Sequence, residues 1–398
     1  MAGTAGSSEE AATALQVVGE LRISARTVSN LAAEIGGAMA AARETRVERY
    51  VTQPLPRKPT EVSPSPPLAA VFCDGGRMRT RAEGGGHGVH QPHWRETKNA
   101  AFHRMQSKSW ETDPQPDLPE CFRNQTYVEK LVLGLKKAKQ PERELVSAVP
   151  TDEPSVPPPS AEAAQEWQPK TLVRTCLSSL ASSDEFGPQM AAEADARGFY
   201  AADKQAFLGD GQAYNWTIQR KWFDGFTPIA DFIHVVEYVY EAAKAIEDDA
   251  VSRWRQYVRW ANACWQGNVD QVIEDLQRHL PPATEDAVST TEGATETEKI
   301  VRRTWNYLAN NRSRMDYARY RREGLPVTSS LAESLVKQIS KRVKGTEKFW
   351  DDGASGEAIL QVRAAVISQD GRLARFVRNR PISPYSPRCR IPTPATAP

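Results

Sequence analysis

Two aspartates stand where an apolar run gives out, and a glutamate stands near the start of a helix. Asp74 follows Val71-Phe72-Cys73 and Asp210 follows Ala206-Phe207-Leu208-Gly209, each with a glycine after the acid. Carboxylates at adjacent strand ends can share hard divalent cations, which prefer oxygen ligands. Two such ions ~3.5–4 Å apart would activate an attacking oxygen and stabilise a leaving one. The glycines leave room for a phosphate or metal to approach. Taken alone, each Asp-Gly also reads as a turn pair.

Glu333 lies in GLPVTSSLAESLVKQISKRVKGTEKFW. Pro326 stops the preceding element, and Thr328, Ser329 or Ser330 can cap a new helix. Lys337, Lys341 and Lys344 follow Glu333 at helical spacing and share its face, where a phosphate backbone can run. Seen alone, the same helix is an exposed one with ordinary ion pairs. A further pair, Asp231 and His234, follows the apolar Thr227–Asp231 run. His234 can orient a ligand or contact a phosphate near the acids. Equally, Asp231 caps a helix that buries a hydrogen-bonded histidine.

These residues need a framework. The sequence predicts strands at Leu68–Asp74, Arg77–Arg81 (the second arm of a hairpin around Gly75-Gly76), Thr97–Met105, Gln205–Asp210 and Thr227–Asp231. Helices are expected at Tyr127–Lys139, Thr171–Leu180, Gln189–Arg197, through most of 234–321, and at Ser330–Arg342 and Glu357–Ser368. At the N-terminus, Ser7 and Glu10 form a capping box for a helix through Gly19. Two further helices are expected at 24–36 and 38–50, and the stretch 23–36 looks like the second helix of a helix-turn-helix, with Thr27, Ser29 and Asn30 near its exposed start and Arg22 and Arg26 nearby. A helical pair packed on the main body explains that stretch equally well. Trp254, Tyr257, Val258, Ala261 and Trp265 recur as a core stripe. His87, His90 and His93 sit in a Gly-rich loop with no element to converge them, so a loop is preferred to a zinc site.

The whole chain, 398 residues with 51 Lys and Arg against 50 Asp and Glu, has a net charge of +1. Residues 301–398 hold 19 against 8, a net +11, and residues 1–300 hold 32 against 42, a net −10. The basic last quarter offers Arg319, Arg321, Arg322, Lys337, Lys341, Arg342 and Lys344 as candidate DNA contacts beside Glu333. Apolar residues make up 40% and charged ones 25%, a globular balance, and no apolar run approaches the ~18 residues of a membrane span. Five scattered cysteines without a C-x-x-C pair fit a reducing cytoplasm.

Together the pieces resemble bacterial insertion-sequence transposases of the Mutator-like DDE kind. The matching blocks are FCDGGRMRTR with GVHQPHWRETK, then FLGDGQAYNW and FTPIADFIHVVEYVYEAA, then GLPVTSSLAESLVKQISKRVKGTEKFW and GEAILQVRAAVIS. They cover most of residues 18–380. The resemblance implies an α/β fold: an RNase H-like mixed sheet with helices on both faces, interrupted by an all-helical insertion, plus a small N-terminal helical unit. It divides the chain into a helical unit (1–50), a Pro-rich linker (51–67), the first part of the core (68–233, with a flexible segment about 109–165), the insertion (234–322), the second part of the core (323–380) and a disordered tail (381–398). It implies Asp74, Asp210 and Glu333 as catalytic acids binding Mg²⁺ or Mn²⁺, two ions in all, and matches Asp231 and His234 to an acid-x-x-His feature of the family. The implied activity is cleavage and transfer of double-stranded DNA at insertion-sequence ends, without a covalent protein intermediate, by a homo-oligomer in the bacterial cytoplasm. Members usually carry a longer region before the core, so a DNA-binding remnant is one alternative, and an RNase H-like nuclease without joining is another.

Overall fold

The computed structural model describes residues 1–80, 93–139, 167–281, 294–343, 350 and 353–380. His87, His90, Lys344 and the tail from 381 lie outside them, as does the side chain of Glu333. No helix among the described residues is long and apolar enough to cross a membrane.

The chain begins with α1 (Ser8–Gly19). The Ser7 side chain accepts from the Glu10 amide, while the Glu10 carboxylate accepts from the Gly6 amide, one residue before the expected capping-box partner. Next comes α2 (Ala25–Val51), a single helix of 27 residues, about 40 Å long at 1.5 Å per residue. This corrects the expected break between the second and third helices: the chain stays helical from 25 to 51, and the turn between the first and second helices falls at 20–24. Gly36 does not end the helix. It lets α2 approach α13 (Gly353–Ile367) so closely that a Cβ there would lie 2.1 Å from the Ala358 carbonyl oxygen. Arg43 pairs with Glu357 at 2.6 Å in the same contact. The Pro-rich stretch 52–67 forms no helix or strand, yet it is tied down. Arg57 Nε donates to the Tyr50 carbonyl at 2.9 Å, and Thr60 donates to both oxygens of Asp195.

Five strands make one mixed sheet in the order β3-β2-β1-β4-β5. They are β1 (Leu68–Thr80), β2 (His93–Gln106), β3 (Lys170–Ser179), β4 (Lys204–Gly209) and β5 (Thr227–Ala230). The pairs β1–β2 and β2–β3 are antiparallel; β1–β4 and β4–β5 are parallel. Two expectations are corrected here. The Gly75-Gly76 pair is no turn: Gly75 and Gly76 lie opposite Lys98 and Thr97 inside one 13-residue strand, so Asp74 is mid-strand. The expected helix at Thr171–Leu180 is β3. Its Thr171, Val173 and Thr175 suit a pleated surface, and pairing with β2 decides the matter. Alternation puts Ala69, Val71 and Cys73 on one face and Ala70, Phe72 and Asp74 on the other.

Both sheet edges are covered. The outer side of β3 is taken by the end of α13, where Cys176 N donates to Ser368 Oγ and Gln369 N donates to the Arg174 carbonyl. On β5, the carbonyls of Pro228 and Ala230 accept from the hydroxyls of Tyr320 (3.3 Å) and Tyr317 (2.7 Å).

The short α3 (Glu120–Arg123) and α4 (Gln125–Lys139) separate β2 from β3. The helices α5 (Ser183–Asp195) and α6 (Ala213–Trp222) flank β4. Phe207, on the same face as Val71 and Phe102, packs on Trp216 of α6 and on Phe223. Between β5 and α12 (Ser330–Val343) the described chain is helical, as expected: α7 (Phe232–Ile246), α8 (Ala250–Trp265), α9 (Val269–Arg278), α10 (Glu296–Asn311) and α11 (Tyr317–Glu323). In α8 Tyr257, Ala261 and Trp265 are buried, with Trp254 and Val258 packed beside them. A last helix, α14 (Arg372–Arg378), follows α13.

Candidate functional site

The parallel register decides where the acids go. Cys73 of β1 lies beside Gly209 of β4, and Gly209 lies beside Ala230 of β5. The next residue along each strand is Asp74, Asp210 and Asp231, so three aspartates stand side by side at the edge where the parallel pairing ends, β1 alone continuing beyond it with β2. The Asp231 amide donates to the Gly209 carbonyl at 2.9 Å, which carries the pairing one residue beyond β5. Helix α12 begins against the same edge, and Glu333 is its fourth residue.

The three aspartates differ in surroundings. Asp74 is partly exposed, and its Oδ1 accepts from the next amide, Gly75 N, at 2.7 Å. Burial, then the neighbouring Asp210 charge, raise its carboxyl to about 7, against the pull of His234. Asp210 is held by its own loop: Gln212 N (3.0 Å) and Asn215 Nδ2 (2.7 Å) donate to Oδ1, and Gln212 Nε2 (2.8 Å) to Oδ2. Gly211, at φ +96°, makes this turn, and a Cβ on it would lie 2.3 Å from the Tyr307 ring. The space after Asp210 is therefore filled by α10, which corrects the expectation that Gly211 leaves room for a ligand. Asp231 is buried and caps α7, accepting from Ile233 N at 3.1 Å. It also accepts from Ser329 N at 2.9 Å and from Ser329 Oγ. Burial raises its carboxyl, opposed by His234 and the Ser329 hydrogen bonds.

His234 is buried as well, with Nδ1 3.4 Å from Glu237 Oε2 and Nε2 3.9 Å from Asp231 Oδ2. Burial works against a charged imidazole. The Glu237 hydrogen bond and the charges of Asp231, Asp210 and Asp74 outweigh it and push His234 up to about 9. The cap reading of this pair is met: Asp231 caps α7, and His234 is buried and hydrogen-bonded to Glu237. Nearby, the nearly buried Lys98 sits 2.7 Å from Glu96 Oε1 and 3.8 Å from the Tyr214 ring centre. The Tyr214 hydroxyl, also near Asp210 and Asp74, has no hydrogen-bond partner.

The candidate DNA contacts divide. Lys337 and Lys341 are exposed on α12, Arg322 is exposed, and Arg26 and Asn30 are exposed near the start of α2. Arg319 is partly exposed and bonded to Asp316 and Glu323. Two expectations are corrected. Arg321 is fully buried: Nε donates to Asp113 at 2.8 Å, Nη1 donates to the Trp265 carbonyl, and the guanidinium lies 4.1 Å from the Trp265 ring centre. Arg342 is buried with Nε bonded to the Ala2 carbonyl. Both are packing residues, and helical spacing alone could not separate them from the exposed ones.

Sequence reasoning missed Gln212, Asn215, Glu237 and Ser329. The first two stand two and five residues after Asp210 and were open to detection as amides beside an acid. Ser329 was read as a possible cap of its own helix, and nothing local marks Asp231 as its partner. Among the described residues no three His, Cys, Asp or Glu side chains form a metal-holding group. The donor set nonetheless suits a hard cation: two oxygen ligands of like charge, one of them reluctant to ionise without a counter-charge. No protein-family model matches the chain, and comparison with curated proteins gives no match.

Proposed function

We propose that the chain is a DDE transposase with an RNase H-like core, in which Asp74, Asp210 and Glu333 hold Mg²⁺ or Mn²⁺. The observation that carries this reading is the common register of Cys73, Gly209 and Ala230, with an aspartate following each and the start of α12 against the same edge. The mixed sheet and the helical stretch between β5 and α12 support an RNase H-like core with an insertion. When bound, divalent ions would activate the attacking oxygen and stabilise the leaving one.

The chain's own groups do the rest. Gln212 and Asn215 lock the Asp210 carboxylate in one orientation, which lowers the cost of ordering it around a ligand. With its carboxyl raised to about 7, Asp74 is partly protonated near neutrality, so a cation bound at the edge would displace a proton. Glu237 orients the His234 ring, whose positive charge attracts a DNA phosphate toward the acids. Lys337 and Lys341 extend that attraction along α12.

The test is a joining assay with Mn²⁺ on DNA carrying the inverted repeats that flank the gene. Wild type is expected to cleave and join. Asp74→Asn, Asp210→Asn and Glu333→Gln are expected to abolish both while binding in a gel shift persists. Full joining by Asp210→Asn overturns the assignment. Cleavage without joining makes the chain a nuclease, and binding alone makes it a remnant.

A further inference from the structure

Three aspartates in register pose a question the register cannot answer: which of them are free to serve a ligand. We infer that Asp231 is a positioning residue, the anchor that fixes the start of α12, and with it Glu333, to the sheet edge; this rests on the acid-site reading above.

The origin of the hydrogen bonds carries the inference. Asp74 and Asp210 are bonded by residues one to five positions away, so those bonds hold each carboxylate and nothing else. Asp231 takes two donors from Ser329, 98 residues further on, one to each carboxylate oxygen. A second strut stands beside the first: Phe232 N donates to the Val327 carbonyl at 3.1 Å, and Val327 is itself buried. The segment 327–329 is therefore fastened at two points to the first turn of α7. Glu333 comes four residues after Ser329, about 6 Å along a helix. An error at Ser329 is carried to Glu333 with little chain between to absorb it.

Charge and exposure agree. Asp231 is 1% exposed and Asp210 8%. Asp231 also has the His234 imidazole 3.9 Å from Oδ2. Its oxygens already accept from Ile233 and twice from Ser329, whereas among the described residues Asp74 accepts from its neighbour Gly75.

The experiment compares Asp231→Ala, Asp231→Asn, Ser329→Ala and Asp74→Asn in the full chain, with two readouts. The first is amide hydrogen exchange of residues 329–337. The second is the Mn²⁺ concentration that half-saturates joining. Asn keeps an acceptor for the two backbone amides, and its NH₂ group can donate to Ser329 Oγ. Asp231→Ala is expected to speed exchange in that segment about tenfold or more and to raise the Mn²⁺ requirement by a similar factor. Asp231→Asn is expected to shift each by less than about threefold. Unchanged exchange in Asp231→Ala overturns the anchor. Joining as fully lost in Asp231→Asn as in Asp74→Asn also overturns it, because the charge itself would then be needed at the edge. If Asp231→Ala does not fold, Ser329→Ala decides: a shift of about two- to fivefold in both readouts is expected, and no shift in either overturns the inference. Full joining by Asp74→Asn removes the acid-site reading instead, and exchange then decides the anchor alone.

Discussion

Two places in this molecule gather carboxylates, and they are composed in opposite ways. Beside α5 and α14, the buried Glu193 meets Arg46 at 2.7 Å, Arg197 at 2.6 Å and also Arg372. Asp370 there meets Arg197 at 2.8 Å, Arg372 at 3.0 Å and the Thr175 hydroxyl at 2.9 Å. Three guanidinium groups surround two acids, and each acid has more than one cation. At the sheet edge three aspartates stand in register beside the His234 imidazole, while the nearby Lys98 is paired with Glu96. The first cluster is complete within the chain. The second is short of positive charge, and on the proposed reading that deficit marks a site rather than a brace.

Substitutions should separate the two along that line. The largest effect is expected at the edge: Asp74→Asn lowers joining by about a thousandfold or more, equivalent to about 4 kcal/mol, while the thermal midpoint holds or rises because a like charge is gone. A lowered midpoint with joining intact would make the edge a second brace. Glu193→Ala should do the reverse to the fold, costing about 1–3 kcal/mol in urea unfolding, because it takes a buried carboxylate away from the partly buried Arg197 and Arg372. A loss below about 1 kcal/mol would show the arginines to be well hydrated and the contrast overdrawn.

A third buried group has neither arrangement. His103 on β2 bonds Thr171 through Nδ1, has no partner at Nε2, and lies near Arg174. Burial and then Arg174 push it down to about 3. The unfolded chain binds this proton near pH 6.5 and the folded chain does not, so stability is retained above pH 6.5 and falls as pH drops toward 3. The expected slope is about 1.4 kcal/mol per pH unit. His103→Gln should remove that component from urea midpoints measured between pH 6.5 and 4; an unchanged slope would mean the ring is hydrated. The smallest effect concerns the surface: Lys337→Ala with Lys341→Ala should reduce the salt slope of DNA binding by about 1.8. An unchanged slope would remove α12 from the DNA path.

Legibility in the sequence followed the range of the interactions. Asp74 and Asp210 were readable as neighbours because each ends the part of its strand that pairs in parallel. The helical stretch after His234 was readable from its period. What failed was set by distant partners. Gly36 looks like a helix stop until the Ala358 backbone is seen against it. The segment after Lys170 looks amphipathic until β2 pairs with it. Arg321 looks like part of a basic run until Asp113 closes on it. The bond from Ser329 to Asp231 has no local trace at all.

The covered sheet edges have a consequence for assembly. Among the described residues, the middle of β3 is bonded to the end of α13 and the β5 carbonyls are taken by Tyr317 and Tyr320, so these parts of the sheet do not offer their backbone to another chain. A second copy that docks here without unfolding part of the first must meet it side chain to side chain, across helices or loops. Two such molecules can therefore associate and separate with each sheet, and the aspartates it holds in register, undisturbed.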